Sequence, residues 1–115
     1  MKPRILLMLL ALALAGAAQA KGNAEKGKAL AEKKDATGQA CATCHGPDGS
    51  KPDSAEKPIL AGQYYDYLVK ALSDYKSGKR VNAVMNGIAK PLSKQEIEDL
   101  AAWFAIQKSA LHFQR

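Results

Sequence analysis

The chain has 115 residues and carries 17 lysines and arginines against 11 aspartates and glutamates, which gives a formal charge of +6. This length suits one domain and leaves little room for two, and an apolar content of 47% excludes a wholly disordered chain. Two cysteines and two histidines exclude a disulfide-dense scaffold, and a four-ligand zinc finger would need both histidines as ligands.

The first twenty residues have the pattern of a secretory signal peptide. Lys2 and Arg4 give a basic start, residues 5–15 are an uncharged apolar run, and residues 18–20 form an A-x-A cleavage pattern. The run is too short to span a membrane, which takes roughly 20 apolar residues, and an uncleaved anchor is the alternative. Cleavage after Ala20 would leave a mature domain of residues 21–115 in the periplasm, where disulfides are permitted.

Three helical patterns follow, separated by loops. The first covers residues 24–34, with Asn23 as its cap and Lys33 and Lys34 in its last turn. The second covers residues 63–77, where apolar side chains recur at three- and four-residue spacing, and Gly78 can end it. No alternating strand pattern occurs, so we predict an all-α fold with about three main helices and long loops.

The third helical pattern covers residues 94–108 and has the clearest beginning. Ser93 and Glu96 have the spacing of a capping box. Its apolar stripe consists of Ile97, Leu100, Ala101 and Phe104. Three helices with such long connections have little core of their own, so we expect another group to fill the middle of the molecule.

A C-x-x-C-H motif, formed by Cys41, Cys44 and His45, lies between the first two helical patterns and is typical of covalent c-type haem attachment. Two thiols three positions apart can add to the two vinyl groups of one porphyrin, and the adjacent imidazole can bind the iron. A thioredoxin-like dithiol would need a preceding strand, and a zinc site would need two further ligands. A simple disulfide is the third alternative. The predicted signal peptide favours haem, because bacteria attach it after export.

Few residues of the mature chain can supply a second axial ligand. Met85 is its only methionine and lies in the predicted loop of residues 79–92, and His112 is its only other histidine. A lone methionine can also be core filler, but a loop between polar residues is a poor place for one. We therefore favour His/Met ligation, which raises the reduction potential and leaves no open site on the iron.

Short motifs occur in order along nearly all of residues 21–115. They are GKAL at 27–30, CATCHG at 41–46, DG at 48–49, PILAGQ at 58–63, YL at 67–68, GKR at 78–80, Met85, LS at 92–93 and LAAWF at 100–104. This set resembles class I cytochrome c, and within it the small monohaem bacterial cytochromes of the c4 and c553 type. The c4 proteins carry two such domains, whereas this chain has one motif.

The resemblance implies a class I cytochrome c fold around one haem, and a role for each matching residue. Cys41 and Cys44 would form the thioethers. His45 would be the proximal iron ligand and Met85 the distal one. Pro58 matches the family proline whose carbonyl accepts a hydrogen bond from the ligand imidazole, a contact that fixes the ring.

Other residues have less specific assignments. By the same resemblance, Gly27 matches the small residue where the first and last helices cross, so it would pack against Leu100 and Trp103. This would explain a glycine that costs about 1 kcal/mol inside a helix, and the alternative is an ordinary weak helix position. Arg80 could contact the haem propionates or be a solvated loop charge. Trp103 could also contact the haem. Three tyrosines could either contact the haem or belong to an apolar helix face: Tyr64, Tyr65 and Tyr67.

The function that these features favour is that of a periplasmic single-electron carrier, not an enzyme, which acts between redox proteins as a monomer or weak dimer. Its basic surplus could steer it to acidic partners, and the chain lacks the basic runs with aromatics that nucleic-acid binding needs. The alternatives are a haem c sensor with an open or displaceable sixth ligand, a permanent subunit of a larger oxidoreductase, and a thiol or metal protein without haem.

Overall fold

Five helices make up the regular structure of residues 21–109, the part of the chain that this computed structural model describes. They are α1 (Ala24–Glu32), α2 (Cys41–His45), α3 (Tyr65–Ser77), α4 (Ala83–Ala89) and α5 (Lys94–Ala105). No strand occurs in residues 21–109, which confirms the all-α prediction. Within the same range no helix is long and apolar enough to cross a membrane. The predicted signal peptide and His112 lie outside the described residues.

The three predicted helices are present as α1, α3 and α5, and each is shorter than predicted. α1 ends at Glu32 because Lys33 adopts an extended backbone conformation, with its N–H bonded to the carbonyl of Leu30. The prediction that Lys33 and Lys34 belong to the last turn is therefore wrong. α3 begins two residues later than predicted, and α5 ends at Ala105, three residues earlier.

Side-chain caps fix the beginnings of α1 and α5 as predicted. The Asn23 side chain accepts a hydrogen bond from the N–H of Lys26 at 2.9 Å. The N–H of Glu96 donates to the Ser93 hydroxyl at 3.1 Å, and the N–H of Ser93 donates back to the Glu96 carboxylate at 2.9 Å. These bonds satisfy backbone donors that have no partner inside the helix, so each helix begins at a defined residue.

α1 crosses α5 at Gly27, which is buried. A Cβ at this position would lie 1.9 Å from the carbonyl oxygen of Asp99 and 2.9 Å from the Cβ of Trp103. The predicted packing role of Gly27 is confirmed with Trp103 as a neighbour, although the nearest backbone is that of Asp99 rather than Leu100. The Asp99 carboxylate is also buried and accepts the N–H of Asn23 at 2.6 Å, so it joins the beginning of α1 to α5.

The packed core is small and lies between α1, α3 and α5. It consists of Ala31, Leu68, Leu100, Ala101 and Phe104. The predicted stripe of α5 is buried along its length, which confirms its orientation. α4 contacts only α3 among the helices, and α2 contacts only α1. The space that these two short helices flank is the site described next.

Candidate functional site

A cavity of about 660 Å³ lies between α2, α3, α4, α5 and the segment after α2. Its walls are mostly apolar and include Leu60, Leu68, Leu72, Ile88, Leu100 and Phe104. Sites for cofactors and other small molecules typically enclose about 300–1,000 Å³ and have such walls. The five site residues expected from the sequence all line this cavity: Cys41, Cys44, His45, Pro58 and Met85.

The short helix α2 carries the two cysteines of the motif to the cavity. Cys41 and Cys44 are three positions apart, so they share one face of the helix. Both thiols are free. Burial raises the pKa of the Cys41 thiol above its ordinary value, because the thiolate would lose hydration there.

His45 ends α2 and is only 6% exposed. Its Nδ1 donates a hydrogen bond to the carbonyl oxygen of Pro58 at 2.9 Å. A carbonyl can only accept, so the neutral ring carries its proton on Nδ1 and keeps the lone pair of Nε2. This tautomer leaves Nε2 able to bind a metal, and the hydrogen bond fixes the ring orientation.

A turn after α2 brings Pro58 back to His45. Gly49 has a φ of 78°, which favours glycine, and its carbonyl accepts the N–H of Leu60 at 2.8 Å. The Asp48 carboxylate closes the turn by accepting from the N–H of Ser50 at 2.9 Å and from its hydroxyl at 2.6 Å. The Ser50 hydroxyl is the main cause of a lowered Asp48 pKa.

Met85 lies in the first turn of α4, so the prediction that it lies in a loop is wrong. Asn82 is the N-cap of this helix, and its side chain accepts the N–H of Met85 at 3.0 Å. Seven residues are too few to give a helical period in the sequence. Because α4 and α2 do not contact each other, Met85 and His45 reach the same cavity from separate parts of the fold.

Asn86 is a residue for which the sequence gives no signal beyond its place next to Met85. Its Nδ2 donates to the carbonyl oxygens of Tyr75 at 2.7 Å and Arg80 at 2.8 Å. Its Oδ1 accepts the N–H of Asn82 at 2.8 Å. One side chain thus connects the last turn of α3, the segment between the helices and the beginning of α4.

Arg80 and two tyrosines form a polar part of the cavity lining. The Arg80 guanidinium donates to the hydroxyl of Tyr67 at 3.3 Å and lies over the ring of Tyr75, 4.9 Å from its centroid. All three residues line the cavity. The other aromatic candidates from the sequence, Tyr64, Tyr65 and Trp103, lie outside its lining.

This set of donors fits a covalently bound c-type haem. Two free thiols at the attachment spacing, an imidazole with an available Nε2 and a thioether surround a largely apolar cavity. Among residues 21–109, no group of three or more His, Cys, Asp and Glu side chains could hold a metal ion by itself. Iron held in a porphyrin needs few ligands from the protein, and His45 and Met85, which line this cavity, are side chains that could supply them.

Comparison with known proteins gives a family for the chain. The family model described as cytochrome c matches residues 24–106. The chain is 40% identical over 111 residues to cytochrome c4 of Pseudomonas aeruginosa, a match that covers 96% of this chain and 51% of that protein. The chain spans about half the length of the curated relatives that it matches over most of its residues.

Two solved structures share the fold. The cytochrome c4 of Acidithiobacillus ferrooxidans is 38% identical with a TM-score of 0.65, over 72% of this chain and 49% of that chain. A thiosulfate dehydrogenase from Marichromatium purpuratum is 37% identical with a TM-score of 0.66, over 77% of this chain and 20% of that chain.

Proposed function

The chain belongs to the cytochrome c family, with covalent haem c as its cofactor, and from that premise we propose that it carries single electrons between redox proteins of the periplasm. The observation that carries the proposal is the cavity, which the C-x-x-C-H motif and the mature chain's only methionine both line. The protein would transfer electrons without converting a substrate of its own.

In this proposal α2 holds the cofactor. Cys41 and Cys44 bind it through thioether bonds, and His45 binds the iron through Nε2. The hydrogen bond from His45 Nδ1 to the Pro58 carbonyl supports this role, since it fixes the ring and makes the imidazole a stronger electron donor. When bound, the haem supplies an iron that alternates between the ferrous and ferric states.

Met85 is proposed as the second axial ligand. It lines the cavity from α4, and the Asn82 cap fixes its backbone N–H. A thioether ligand stabilises ferrous iron and fills the last coordination position. The apolar side chains around it exclude water, which lowers the solvent rearrangement that accompanies each electron transfer.

The proposal also covers the export of the protein and the proteins with which it exchanges electrons. Residues 1–20 would be removed as a signal peptide, and the basic surface would speed encounters with acidic redox proteins in a salt-dependent way. A permanent subunit of a larger oxidoreductase is the second candidate. It is favoured by the thiosulfate dehydrogenase whose chain matches this one over 20% of its length.

Visible absorption of the exported protein, produced in a host that attaches haem, tests the ligand assignment. We expect sharp c-type bands on reduction and a weak long-wavelength sulfur-to-iron band on oxidation. Met85→Ala should keep the c-type bands and lose the sulfur band. Val81→Ala, at a residue that is 86% exposed and outside the cavity lining, should keep both.

Two results would contradict the proposal. The absence of haem bands would remove the cytochrome function altogether. Haem bands without the sulfur band in the parent protein would show that Met85 is not the ligand, and a change in the His112→Ala spectrum would then identify His112. For the second candidate, elution as part of a large complex from native extract would replace the free carrier with a subunit.

A further inference from the structure

The helix that carries the proposed sulfur ligand has little apolar packing. α4 has seven residues, of which only Ala89 is buried, and it contacts no helix but α3 in residues 21–109. A helix this short is unstable without tertiary support. The position of Met85 therefore depends on the polar contacts that hold α4 in place.

Asn86 supplies most of these contacts. Its amide N–H groups bind the carbonyls of Tyr75 and Arg80, and its oxygen binds the N–H of Asn82. The side chain is half-buried, so water competes with these bonds less than it does at an open surface. Asparagine is short and loses little side-chain entropy on forming them, unlike a long charged side chain.

The same bonds lead directly to Met85. The Asn86 side-chain oxygen accepts the N–H of Asn82, and the Asn82 side chain in turn accepts the N–H of Met85 at 3.0 Å. The backbone N–H of Asn86 also donates to the carbonyl of Asn82 at 2.8 Å, so a displacement of either asparagine shifts the backbone of the methionine between them.

The other polar contact to α4 is weaker by its nature. Lys76 donates from Nζ to the carbonyl of Lys90 at 2.8 Å, just past the end of α4. Both residues are exposed, the lysine side chain loses several rotatable bonds when it is held, and the contact lies at the end of α4 away from Met85.

We propose that Asn86 is a positioning residue that keeps the Met85 thioether on the haem iron. The inference rests on the proposed His/Met ligation and names the residue that stabilises it. Loss of the Asn86 bonds lets the first turn of α4 move away, so Met85 dissociates more often and an external ligand can take its place.

Imidazole binding to the oxidised, haem-loaded protein tests this. Asn86→Ala removes all three bonds, and Asn86→Asp keeps the oxygen that binds Asn82 but removes both donors. Each variant should bind imidazole at least about tenfold more tightly than the parent, since the loss of two or three hydrogen bonds, at about 1 kcal/mol each, amounts to that factor or more. Each should also show a weaker sulfur-to-iron band before imidazole is added.

Ile97→Ala is the matched control. Ile97 is buried in α5 and lies outside the cavity lining, so its truncation destabilises the fold without touching α4. This variant should bind imidazole within about twofold of the parent, although its melting temperature falls. If Asn86→Ala cannot be produced with haem attached, the imidazole affinity of Asn86→Asp alone tests the proposal.

The outcomes separate the inference from the proposed function. Parent-like imidazole affinity in both Asn86 variants, or an equal increase in Ile97→Ala, would overturn the positioning role while leaving the ligand assignment intact. A Met85→Ala variant whose spectrum and imidazole affinity equal those of the parent would overturn the ligand assignment, and the role of Asn86 with it.

Discussion

Gly27 and Gly87 both lie inside helices, but a side chain would meet opposite surroundings at the two positions. A Cβ at Gly27 would overlap the backbone of Asp99, whereas a Cβ at Gly87 would have no atom within 4 Å apart from those of its chain neighbours and its own helix backbone. Neither residue has a positive φ. The steric surroundings, not the backbone conformation, therefore decide what alanine does at each position.

We expect Gly27→Ala to lower the free energy of unfolding by about 1–3 kcal/mol, because α1 must move away from α5. The gain in helix propensity, about 1 kcal/mol at most, does not offset this. Gly87→Ala should instead raise the stability by about 0.5–1 kcal/mol. Denaturant unfolding of both variants checks the pair, and equal effects at the two positions would contradict the packing argument.

Asp48 supports a pH-dependent prediction. Bonds to the charged carboxylate, chiefly from the Ser50 hydroxyl, hold the pKa of Asp48 below its ordinary value. The stabilisation of this turn is thus complete above the ordinary carboxyl pKa and is lost as the pH falls through the lowered value. Ser50→Ala should raise the Asp48 pKa towards its ordinary value.

An NMR titration of the reduced protein measures this shift, and it has an internal control. The pKa of Asp35 is also lowered, mainly by the hydroxyl of Thr37, in a separate turn. The Asp35 pKa should stay the same in Ser50→Ala. A parallel shift of both carboxyl groups would mean that the substitution acts through the whole fold rather than through the Asp48 turn.

At the scale of the helices, α5 forms one wall of the site. It contributes Leu100, Ala101 and Phe104 to the cavity lining, and its beginning is fixed by the capping box of Ser93 and Glu96. Ser93→Ala should lower the free energy of unfolding by about 1 kcal/mol, since a helix N–H then loses its partner.

Lys94→Ala is the control for this prediction. Lys94 is exposed, and its ammonium lies 4.0 Å from the Glu98 carboxylate, a surface ion pair worth little. The Lys94→Ala variant should unfold within about 0.5 kcal/mol of the parent in urea. If Lys94→Ala lowered the free energy of unfolding as much as Ser93→Ala does, the charge pair rather than the cap would be the cause.

The helices that could be predicted from the sequence are those that carry their own local signals. α1 and α5 have side-chain caps, α3 has a long apolar period, and all three have at least nine residues. α2 and α4 have five and seven residues, too few for a period to stand out. Met85 was therefore predicted as a cavity residue but on the wrong kind of element.

The residues of the site also differ in how far they could be predicted from the sequence. Cys41, Cys44 and His45 are contiguous, so their spacing alone indicates haem attachment. The role of Pro58 was predicted only from the family resemblance. In the structure its carbonyl accepts the predicted hydrogen bond from His45. Asn86 could not be predicted, because its partners are two backbone carbonyls and one N–H that only the folded chain brings together.

At the scale of the molecule, the size of the cavity leads us to expect that the fold depends on its cofactor. If a cavity of about 660 Å³ stayed dry, it would cost about 16 kcal/mol at roughly 24 cal/mol per Å³. That is as much as the whole stability of a typical domain, about 5–15 kcal/mol. A chain without haem must therefore collapse, admit water or remain unfolded.

The double substitution Cys41→Ser/Cys44→Ser, which blocks covalent attachment, tests this dependence. We expect the haem-free variant to lack both a cooperative thermal transition and a near-ultraviolet circular dichroism signal. Val81→Ala with haem attached should retain both. A haem-free variant that melts cooperatively near the parent temperature would show that α1, α3 and α5 fold without the cofactor.

The bond between the Asn23 N–H and the Asp99 carboxylate joins residues that are 76 positions apart. Because a chain is synthesised from its amino end, α1 is complete before its partner α5. Closing a loop of that length costs chain entropy, and contacts between residues close in sequence do not offset this cost. Cys41 and Cys44 lie within that loop, so their thiols would stay accessible to a cofactor until α5 meets α1 and closes the domain.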